Sequence, residues 1–342
     1  MKIAIINDTH FGARNDSHLF LEHFLSFFET QFFPYLKENE ITTIFHLGDL
    51  LDRRKFVNFH TLSQVKNRFF KVLKDNNIEM HMILGNHDMY YKNTNEVNSP
   101  RELFQEYDKF YLYEEPQDLV LDNIKFCMIP WICEENENKI MSFIKDTSAS
   151  ILCGHLELNG YEVMRGVAHI GGMKDDSIQK FEHVFSGHFH IKSSSKNVKY
   201  LGTQYQITFS DVNDMKGFHI FDTKTRDLQF IENSDRMFYI IHTEESYEDY
   251  SFLHNKFVKL MVNKNTQRSK IDDIIYEIEK NNPYNLTVVE DYNIDNTDET
   301  VIDLSKDTMT IINEEIESLE LDLDKSKLKK LSNEIYLEAL NQ

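Results

Sequence analysis

Short apolar segments in this sequence end in compact groups of glycine, aspartate, asparagine and histidine. The first three are Lys2–Ile6 before Asp8-Thr9-His10, Thr43–Leu47 before Gly48-Asp49-Leu50-Leu51-Asp52, and Met80–Leu84 before Gly85-Asn86-His87-Asp88. Between them, Ser17–Lys37 and Phe59–Lys74 carry apolar residues at helical spacing. Strands that alternate with helices in this way predict an α/β protein with layered sheets.

The same alternation continues along the chain. Further strands are expected at Lys125–Pro130, Ser150–Cys153 before Gly154-His155, Val184–Ser186 before Gly187-His188-Phe189-His190, Tyr200–Phe209 and Gly217–Asp222. A second group of elements comprises strands at Met237–His242, Phe257–Val262 and Leu286–Glu290 and a helix at Lys270–Lys280. We therefore expect a catalytic-sized domain at 1–232, a small α/β cap at 233–292, and an acidic linker with amphipathic helices at 293–342.

Polar residues that follow parallel strands gather at one edge of a sheet, where α/β proteins bind ligands. Carboxylates, imidazoles and one amide oxygen suit Mn²⁺, Fe²⁺ or Zn²⁺ better than the all-oxygen cage of Ca²⁺. No cysteine occurs in these motifs, which disfavours a structural zinc site. A single motif is weak evidence, because a lone residue such as His155 is more often a hydrogen-bonded core histidine. Five motifs together predict a metal site.

These motifs resemble the signature of the calcineurin-like metallophosphoesterase superfamily, D-x-H, G-D-x-x-D, G-N-H-D, G-H and G-H-x-H, over residues 1 to about 222. The resemblance implies a layered β-sandwich core flanked by helices, and two divalent metal ions bridged by Asp49. One ion would be held by Asp8, His10, Asp49 and His190, and the second by Asp49, Asn86, His155 and His188.

Two bound cations lower the pKa of a bridging water and neutralise phosphoryl charge, so a bridging hydroxide can attack a phosphodiester. The leaving alkoxide then needs a proton, and His87 is the candidate donor. Asp52 would hold His87 in the required tautomer. Alternatively, Asp52 only caps a turn.

Phosphoprotein phosphatases of this superfamily read G-D-x-x-D-R-G and G-N-H-E, whereas Arg54 follows Arg53 and Asp88 follows His87 here. The order of catalytic domain, small cap and helical tail instead resembles the SbcD-type DNA-repair nucleases, in particular phage recombination endonuclease subunits partnered with an SMC-like coiled-coil ATPase. That resemblance implies Mn²⁺-dependent, or Mg²⁺-dependent, exonuclease and endonuclease activity on DNA, binding of DNA by the cap at 233–292, and homodimerisation. A small-substrate phosphodiesterase or phosphatase, or a non-catalytic ATPase-binding subunit, are the competing hypotheses.

The chain carries 37 basic and 57 acidic residues, a net charge of −20, which opposes non-specific attraction to nucleic acid or to anionic membranes. DNA must therefore be held locally, by the metals and by cationic or aromatic side chains beside them. The candidates are Arg53, Arg54, Lys55, Tyr90, Tyr91 and Lys92. The alternative is that these residues form ordinary solvated loops.

The last 57 positions contain 15 acidic and 5 basic residues, yet apolar residues recur at helical spacing between Met309 and Leu340. The resemblance implies that these C-terminal helices dock on the ATPase, and an intramolecular helical hairpin is the alternative. Cys127, Cys133 and Cys153 form no C-x-x-C pair, which fits a reducing compartment. With no membrane-spanning segment or signal peptide evident, we expect a cytoplasmic protein, in the host cytoplasm if it is phage-encoded.

Overall fold

A computed structural model gives the fold of the protein. The structure describes residues 1–164, 167–169 and 171–290, together with positions 316, 325, 327–329 and 332. The C-terminal helices expected between Met309 and Leu340 lie almost entirely outside the described residues.

The described residues form seventeen β-strands. The first nine are β1 (Lys2–Ile6), β2 (Thr43–His46), β3 (Glu79–Ile83), β4 (Phe110–Tyr113), β5 (Gln117–Leu121), β6 (Ile124–Ile129), β7 (Ile151–Gly154), β8 (Glu162–Met164) and β9 (Val167–Ala168). The remainder are β10 (His183–Ser186), β11 (Ser193–Ser195), β12 (Val198–Tyr200), β13 (Gly217–Asp222), β14 (Leu228–Glu232), β15 (Phe238–His242), β16 (Phe257–Val262) and β17 (Asn285–Glu290).

A short left-handed turn lies at Ala13–Asp16. The right-handed α-helices are α1 (His18–Phe27), α2 (Phe33–Glu38), α3 (Phe59–Val65), α4 (Lys71–Asp75), α5 (Ser99–Phe104), α6 (Glu137–Asp146) and α7 (Arg268–Lys280). A π-helical turn at Phe28–Phe32 joins α1 to α2, and another at Lys66–Phe70 joins α3 to α4, so each predicted long helix is continuous. In the part of the chain that the structure describes, no helix is both long and apolar enough to cross a membrane.

Two six-stranded sheets form the larger part of the molecule. Their strand orders are β14-β13-β1-β2-β3-β4 and β11-β12-β10-β7-β6-β5. Strands β1 to β4 run parallel in the first sheet, and β6, β7, β10 and β12 run parallel in the second. The strands that precede the polar motifs, β1, β2, β3, β7 and β10, therefore all belong to these parallel blocks, and their carboxyl ends present the motifs.

The two sheets pack face to face. Side chains alternate across a strand, so Ile3 and Ile5 of β1 enter the apolar layer between the sheets, where they join Phe126 and Phe185 of the second sheet. Ala4, from the opposite face of β1, packs with the helices α1 to α4. Because the central strands are covered on both faces, most of their residues are apolar, as is usual for parallel strands.

Helices cover the outer faces of this sandwich. Ile140 and Ile144 of α6 pack against Leu152 and Val184 on the outer face of the second sheet. The predicted α/β fold, a layered β-sandwich flanked by helices, is therefore confirmed. A third sheet of three parallel strands, β15-β16-β17, packs against α7 through a separate apolar cluster.

The strand predicted at Tyr200–Phe209 is wrong beyond its first residue. β12 ends at Tyr200, and the chain then continues without regular structure as far as Thr208. Its backbone instead accepts a hydrogen bond from the loop after β1. The side-chain amide of Asn7 donates to the carbonyl of Gly202 at 2.9 Å. The Tyr205 hydroxyl also donates to the carbonyl of Thr9, at 2.6 Å. Tertiary hydrogen bonds thus replace a strand ladder here.

Several edge strands were not predicted, namely β4, β5, β11 and β14. Edge strands are half exposed, and their burial is irregular, so apolar alternation is weak. β11 consists of three serines and pairs with β12 only through its backbone. Their positions follow from neighbouring strands rather than from their own sequences.

Candidate metal centre

The loops that follow β1 and β2 are joined through their backbones. The amide of Asp8 donates to the carbonyl of Gly48 at 2.9 Å, and that of His10 donates to the carbonyl of Asp49 at 3.1 Å. Asp8, His10 and Asp49 all adopt left-handed backbone conformations, with φ of 48°, 40° and 58°. Such conformations are costly for residues with side chains and concentrate at functional sites.

Two glycines are required by close approach at this junction. A Cβ atom on Gly85 would lie 2.2 Å from Oδ1 of Asp49. A Cβ atom on Gly48, whose φ is +90°, would lie 2.6 Å from Nδ1 of His155. Only glycine lets the loops after β2 and β3 and the His155 ring approach so closely.

The first group of candidate ligands is Asp8, His10 and His190. The Nε2 atoms of His10 and His190 are 3.1 Å apart, and each lies 3.9 Å from Oδ1 of Asp8. Two nitrogens bound at right angles to one ion, each at about 2.1 Å, would be about 3.0 Å apart. The separation of the two rings therefore fits a shared cation.

The second group is Asn86, His155 and His188. Oδ1 of Asn86 lies 3.1 Å from Nε2 of His155 and 3.0 Å from Nδ1 of His188. These separations again match neighbouring ligands of one ion. An amide oxygen and two imidazoles converge here from the ends of β3, β7 and β10.

Asp49 lies between the two groups and is buried. Its Oδ2 atom is 3.8 Å from Nε2 of His10 in the first group and 3.3 Å from Nε2 of His155 in the second. Burial opposes ionisation of this carboxyl, but His155 and His10 hold its pKa well below the usual range. A charged carboxylate oxygen within reach of both groups fits a bridging ligand.

The electrostatics of the centre also fit cations. Burial, together with the charge of Asp49, raises the pKa of Asp8. Burial would lower the pKa of His155, yet the carboxylates of Asp49 and Asp8 raise it to about 9. The centre thus has excess negative charge, which protonated His155 partly balances and divalent cations would balance fully.

Oxygen acceptors lie behind two of the ligand imidazoles. Nδ1 of His155 is 2.7 Å from the carbonyl of Leu47, and Nδ1 of His10 is 3.3 Å from Oδ1 of Asp52. A proton on Nδ1 in each ring leaves Nε2 free to bind a metal. Support of this kind from carbonyls and carboxylates is typical of metal-binding histidines.

The predicted role of the Asp52 side chain needs correction. The contact of Asp52 with His87 is made by its backbone carbonyl, which lies 2.5 Å from Nδ1 of the ring. The Asp52 carboxylate turns instead toward His10. The sequence could not distinguish these contacts, because both histidines belong to motifs that meet at Asp52. His87 itself lies at the centre, where its backbone amide donates to Oδ1 of Asp49 at 2.7 Å.

Asp88 is a positioning residue that was missed. It is fully buried, and Oδ2 accepts hydrogen bonds from the amides of Gly85 and Asp49, both at 2.8 Å, while Oδ1 accepts from that of Leu50 at 3.0 Å. Burial, followed by the charge of Asp49, raises the pKa of Asp88 to about 7. In the sequence, this role is indicated by the position of Asp88 directly after His87 in the third motif.

Two further supporting residues were also missed. The side-chain amide of Asn7 donates a hydrogen bond to Oδ2 of Asp8 at 2.5 Å. Lys216 is only 4% exposed and donates to the carbonyl of His190 at 2.7 Å, while Asp211 and Asp214 each lie 2.9 Å from its Nζ. Lys216 is far from every motif in the sequence, so no local pattern could have revealed it.

The six predicted DNA-contact residues lie on two neighbouring loops. Nε of Arg54 donates to the carbonyl of Met89 at 3.1 Å, and Nζ of Lys55 lies 5.9 Å from the centre of the Tyr90 ring. Tyr90, Tyr91 and Lys92 are exposed. Arg53 is paired with Asp16 at 3.2 Å.

Residues 1–192 match the model of the calcineurin-like phosphoesterase family. Exonuclease subunit 1 of Enterobacteria phage T4 is 32% identical over 350 positions, which cover 99% of each chain. A subunit of the nuclease SbcCD from Staphylococcus epidermidis is 23% identical over 258 positions, which cover 67% of each chain. A solved archaeal phosphodiesterase shares 15% identity over 68% of this chain and 100% of its own, with a TM-score of 0.35.

The family match extends from β1 to the His188-x-His190 motif and so includes every candidate metal ligand. The relative from phage T4 extends the similarity to the whole chain. The protein belongs to the calcineurin-like phosphoesterase family and is a metal-dependent phosphoesterase.

Proposed function

We propose that the protein is a two-metal DNA nuclease with exonuclease and endonuclease activity. The observation that carries this proposal is the convergence of carboxylate, imidazole and amide donors from five strand ends around Asp49. Two relatives are named as nuclease subunits, which supports DNA as the substrate.

In this proposal Asp8, His10, Asp49 and His190 hold one ion. Asp49, Asn86, His155 and His188 hold the other. The donor set suits Mn²⁺, Fe²⁺ or Zn²⁺. Of these we propose Mn²⁺, with Mg²⁺ as the alternative, because the resemblance to SbcD-type nucleases implies one of these two ions. When bound, the ions supply a hydroxide at neutral pH and neutralise charge on the phosphodiester.

His87 is proposed to protonate the leaving oxygen. Its Nδ1 faces the Asp52 carbonyl at 2.5 Å, which is a contact that favours a proton on Nδ1. Nε2 then remains to carry a second proton toward the substrate. The hydrogen bond from the backbone amide of His87 to Asp49 holds the His87 ring beside the metal centre.

The loops that contain Arg53, Arg54, Lys55, Tyr90, Tyr91 and Lys92 are proposed to contact DNA. Cations can bind the phosphates, and exposed tyrosine rings can stack on bases. Because the net charge is −20, DNA affinity should depend on this local surface and on a partner rather than on the overall field.

The protein is further proposed to act as a homodimer with a coiled-coil ATPase subunit, in DNA recombination and repair in the cytoplasm. The relatives are described as subunits, which supports a partner. We also propose the division into a nuclease domain at 1–232, a small α/β DNA-binding cap at 233–292 and an ATPase-docking region at 293–342.

The direct test of the nuclease proposal is cleavage of linear DNA by the purified protein with Mn²⁺. Asp49→Ala and His87→Ala should each lower the rate, by about 10³-fold and by about 10²-fold or more, respectively. Asp146→Ala, which changes an exposed aspartate at the end of α6, is the matched control and should cleave at the parental rate.

The competing functions give different results. Fast hydrolysis of small phosphodiesters or phosphomonoesters, unaffected by added DNA, would indicate a small-substrate enzyme. Normal partner binding without hydrolysis of any phosphoester would indicate a non-catalytic subunit. A His87→Ala variant that cuts DNA at the parental rate would exclude His87 as the proton donor.

Docking of the C-terminal region is tested by deletion of residues 306–342. The shortened protein should lose association with the ATPase and keep Mn²⁺-dependent cleavage of single-stranded DNA. Association that survives the deletion would contradict the proposed docking region.

A further inference from the structure

A cavity of about 550 Å³ opens beside the second group of candidate ligands. His155 forms part of its wall, and the loop after β6 and the segment before β10 supply most of the rest. No residue predicted to contact DNA lines this cavity. Apart from His155, the metal-ligand motifs contribute no residue to this cavity.

Trp131 is the aromatic side chain of this cavity and the single tryptophan of the chain. Its ring centre lies 4.9 Å from that of His188 and 5.8 Å from that of His155. The backbone amide of Trp131 donates to the carbonyl of Leu84 at 2.7 Å. The carbonyl of Trp131 accepts a hydrogen bond from the side-chain amide of Asn136 at 3.0 Å. The backbone thus holds a half-buried indole next to the metal ligands.

The remaining lining indicates what the cavity accepts. Its apolar residues are Ile132, Met141, Leu156 and Met173. The charged residues are three glutamates, Glu134, Glu137 and Glu157, and one lysine, Lys174. Excess negative charge disfavours a phosphate here, whereas apolar walls and an indole favour a flat aromatic group. Carboxylates can also accept hydrogen bonds from the exocyclic amino groups of bases.

We propose that this cavity binds the base of the nucleotide whose phosphodiester lies at the metal centre, and that the base stacks on Trp131. This inference rests on the proposed nuclease function and specifies its substrate. A base inside a duplex is already stacked and paired, so the nucleotide that enters the cavity must be unpaired. The preferred substrate is accordingly a single strand or an unpaired DNA end.

The test combines a change in the enzyme with a change in the DNA. Parental protein, Trp131→Phe and Trp131→Ala are assayed with Mn²⁺ on a single-stranded oligonucleotide and on a matched one with an abasic nucleotide at the cleavage position. Stacking of one base on an aromatic ring changes binding by about 10-fold or more. The abasic change should lower kcat/KM by about 10-fold for the parental protein and Trp131→Phe, and by less than about twofold for Trp131→Ala.

An equal abasic penalty in the parental protein and in Trp131→Ala would overturn the inference. Tyr111→Ala, which removes an exposed ring from the edge strand β4, is the matched control and should show the parental penalty. Failure of the parental protein to cut any DNA would instead contradict the proposed nuclease function.

Fluorescence gives a second test that requires neither cleavage nor a Trp131 variant. Because Trp131 is the only tryptophan, its emission reports this cavity directly. Titration of His87→Ala with the normal oligonucleotide in Mn²⁺ should quench the emission, and the abasic oligonucleotide should do so markedly less. Equal responses to both oligonucleotides, or no response to either, would overturn the proposed stacking.

Discussion

The metal-ligand loops and the β15-β17 sheet are built in different ways. In the sheet, β16 alternates buried and half-buried residues, and α7 covers it with Ile271, Ile274 and Ile278. In the loops, buried carboxylates accept hydrogen bonds from backbone amides in distant parts of the chain, as Asp88 does from Asp49. The sheet therefore depends on apolar burial, whereas the loops depend on a few exact hydrogen bonds, and substitutions should affect the two regions differently.

The largest effect on stability is expected for Gly85→Ala. The new methyl group would meet Oδ1 of Asp49 at 2.2 Å and its backbone nitrogen at 2.5 Å, so the loop has to move. We expect a loss of about 3 kcal/mol in unfolding free energy and an activity loss on the order of 10²-fold. Thermal unfolding and phosphodiester hydrolysis measure these effects.

Gly160→Ala is the matched control for Gly85→Ala. Gly160 has a positive φ of +83°, which Gly85 lacks, and no atom lies within 4 Å of its added Cβ. The control should lose only about 1–2 kcal/mol and keep its activity. Equal activity losses in the two variants would show that close approach at Asp49 does not limit the centre.

Ile278→Ala tests the other side of the comparison. Ile278 is fully buried, and its truncation should cost about 2–3 kcal/mol by denaturant unfolding. Mn²⁺ affinity at low temperature should not change, because no candidate ligand lies in that cluster. Tyr276→Ala, at a side chain 66% exposed on the same helix, should cost less than about 0.5 kcal/mol.

A 10-fold or larger loss of Mn²⁺ affinity in folded Ile278→Ala would contradict the separation of the two regions. Unchanged unfolding free energy would contradict the role of the apolar cluster beneath β16.

Asp52→Asn separates the two contacts of Asp52. The carbonyl that faces His87 is kept, whereas the charge beside His10 is removed. We expect Mn²⁺ affinity to fall by about 10-fold and the rate at saturating Mn²⁺ to be largely restored. Asp118→Asn, at a carboxylate bonded to Thr147, is the control and should change neither quantity. A rate that stays low at saturating Mn²⁺ would indicate that the Asp52 carboxylate acts on His87 and not only on His10.

The smallest effect is expected for Asp235→Asn. Asp235 lies 3.3 Å from Nδ1 of His23 on α1 and 2.6 Å from Nζ of Lys256. The bond from His23 and the charge of Lys256 lower the pKa of this half-exposed carboxyl. The pair should contribute only about 0.5 kcal/mol.

The stabilisation by Asp235 has a defined pH dependence. A lowered pKa in the folded state gives stability above the unfolded pKa of about 3.9, and this stability is lost as pH falls further. The parental protein should therefore exceed Asp235→Asn in urea unfolding at pH 7, and the difference should narrow as pH falls below about 4 toward the lowered pKa of the folded state. Asp273→Asn, at an exposed position of α7, should show no such change. A difference that grows toward pH 3 would contradict the assigned pairing.

The central strands and the motif loops could be predicted because each has a local signal. β1 and β7 are apolar over most of their length, and Asp8, Asp49 and His155 each lie two positions beyond an apolar segment. That the motifs meet follows from parallel strand ends lying at one edge.

The rest depends on contacts that no local pattern contains. Lys216 reaches His190, and the Asp52 carboxylate turns toward His10 rather than His87, only after the chain has folded. The apolar character of the residues after Tyr200 predicts a strand, but tertiary hydrogen bonds to Asn7 and Thr9 determine their conformation. Edge strands such as β11 lack a periodic pattern.

The convergence of the motif loops on a pair of cations is tested most directly by counting bound Mn²⁺. Equilibrium dialysis with elemental analysis should give two ions per parental chain. Asp49→Ala should bind fewer than two, because both ligand groups use that carboxylate. A parental chain that binds no more than one ion at saturation, or an Asp49→Ala chain that still binds two, would contradict the account.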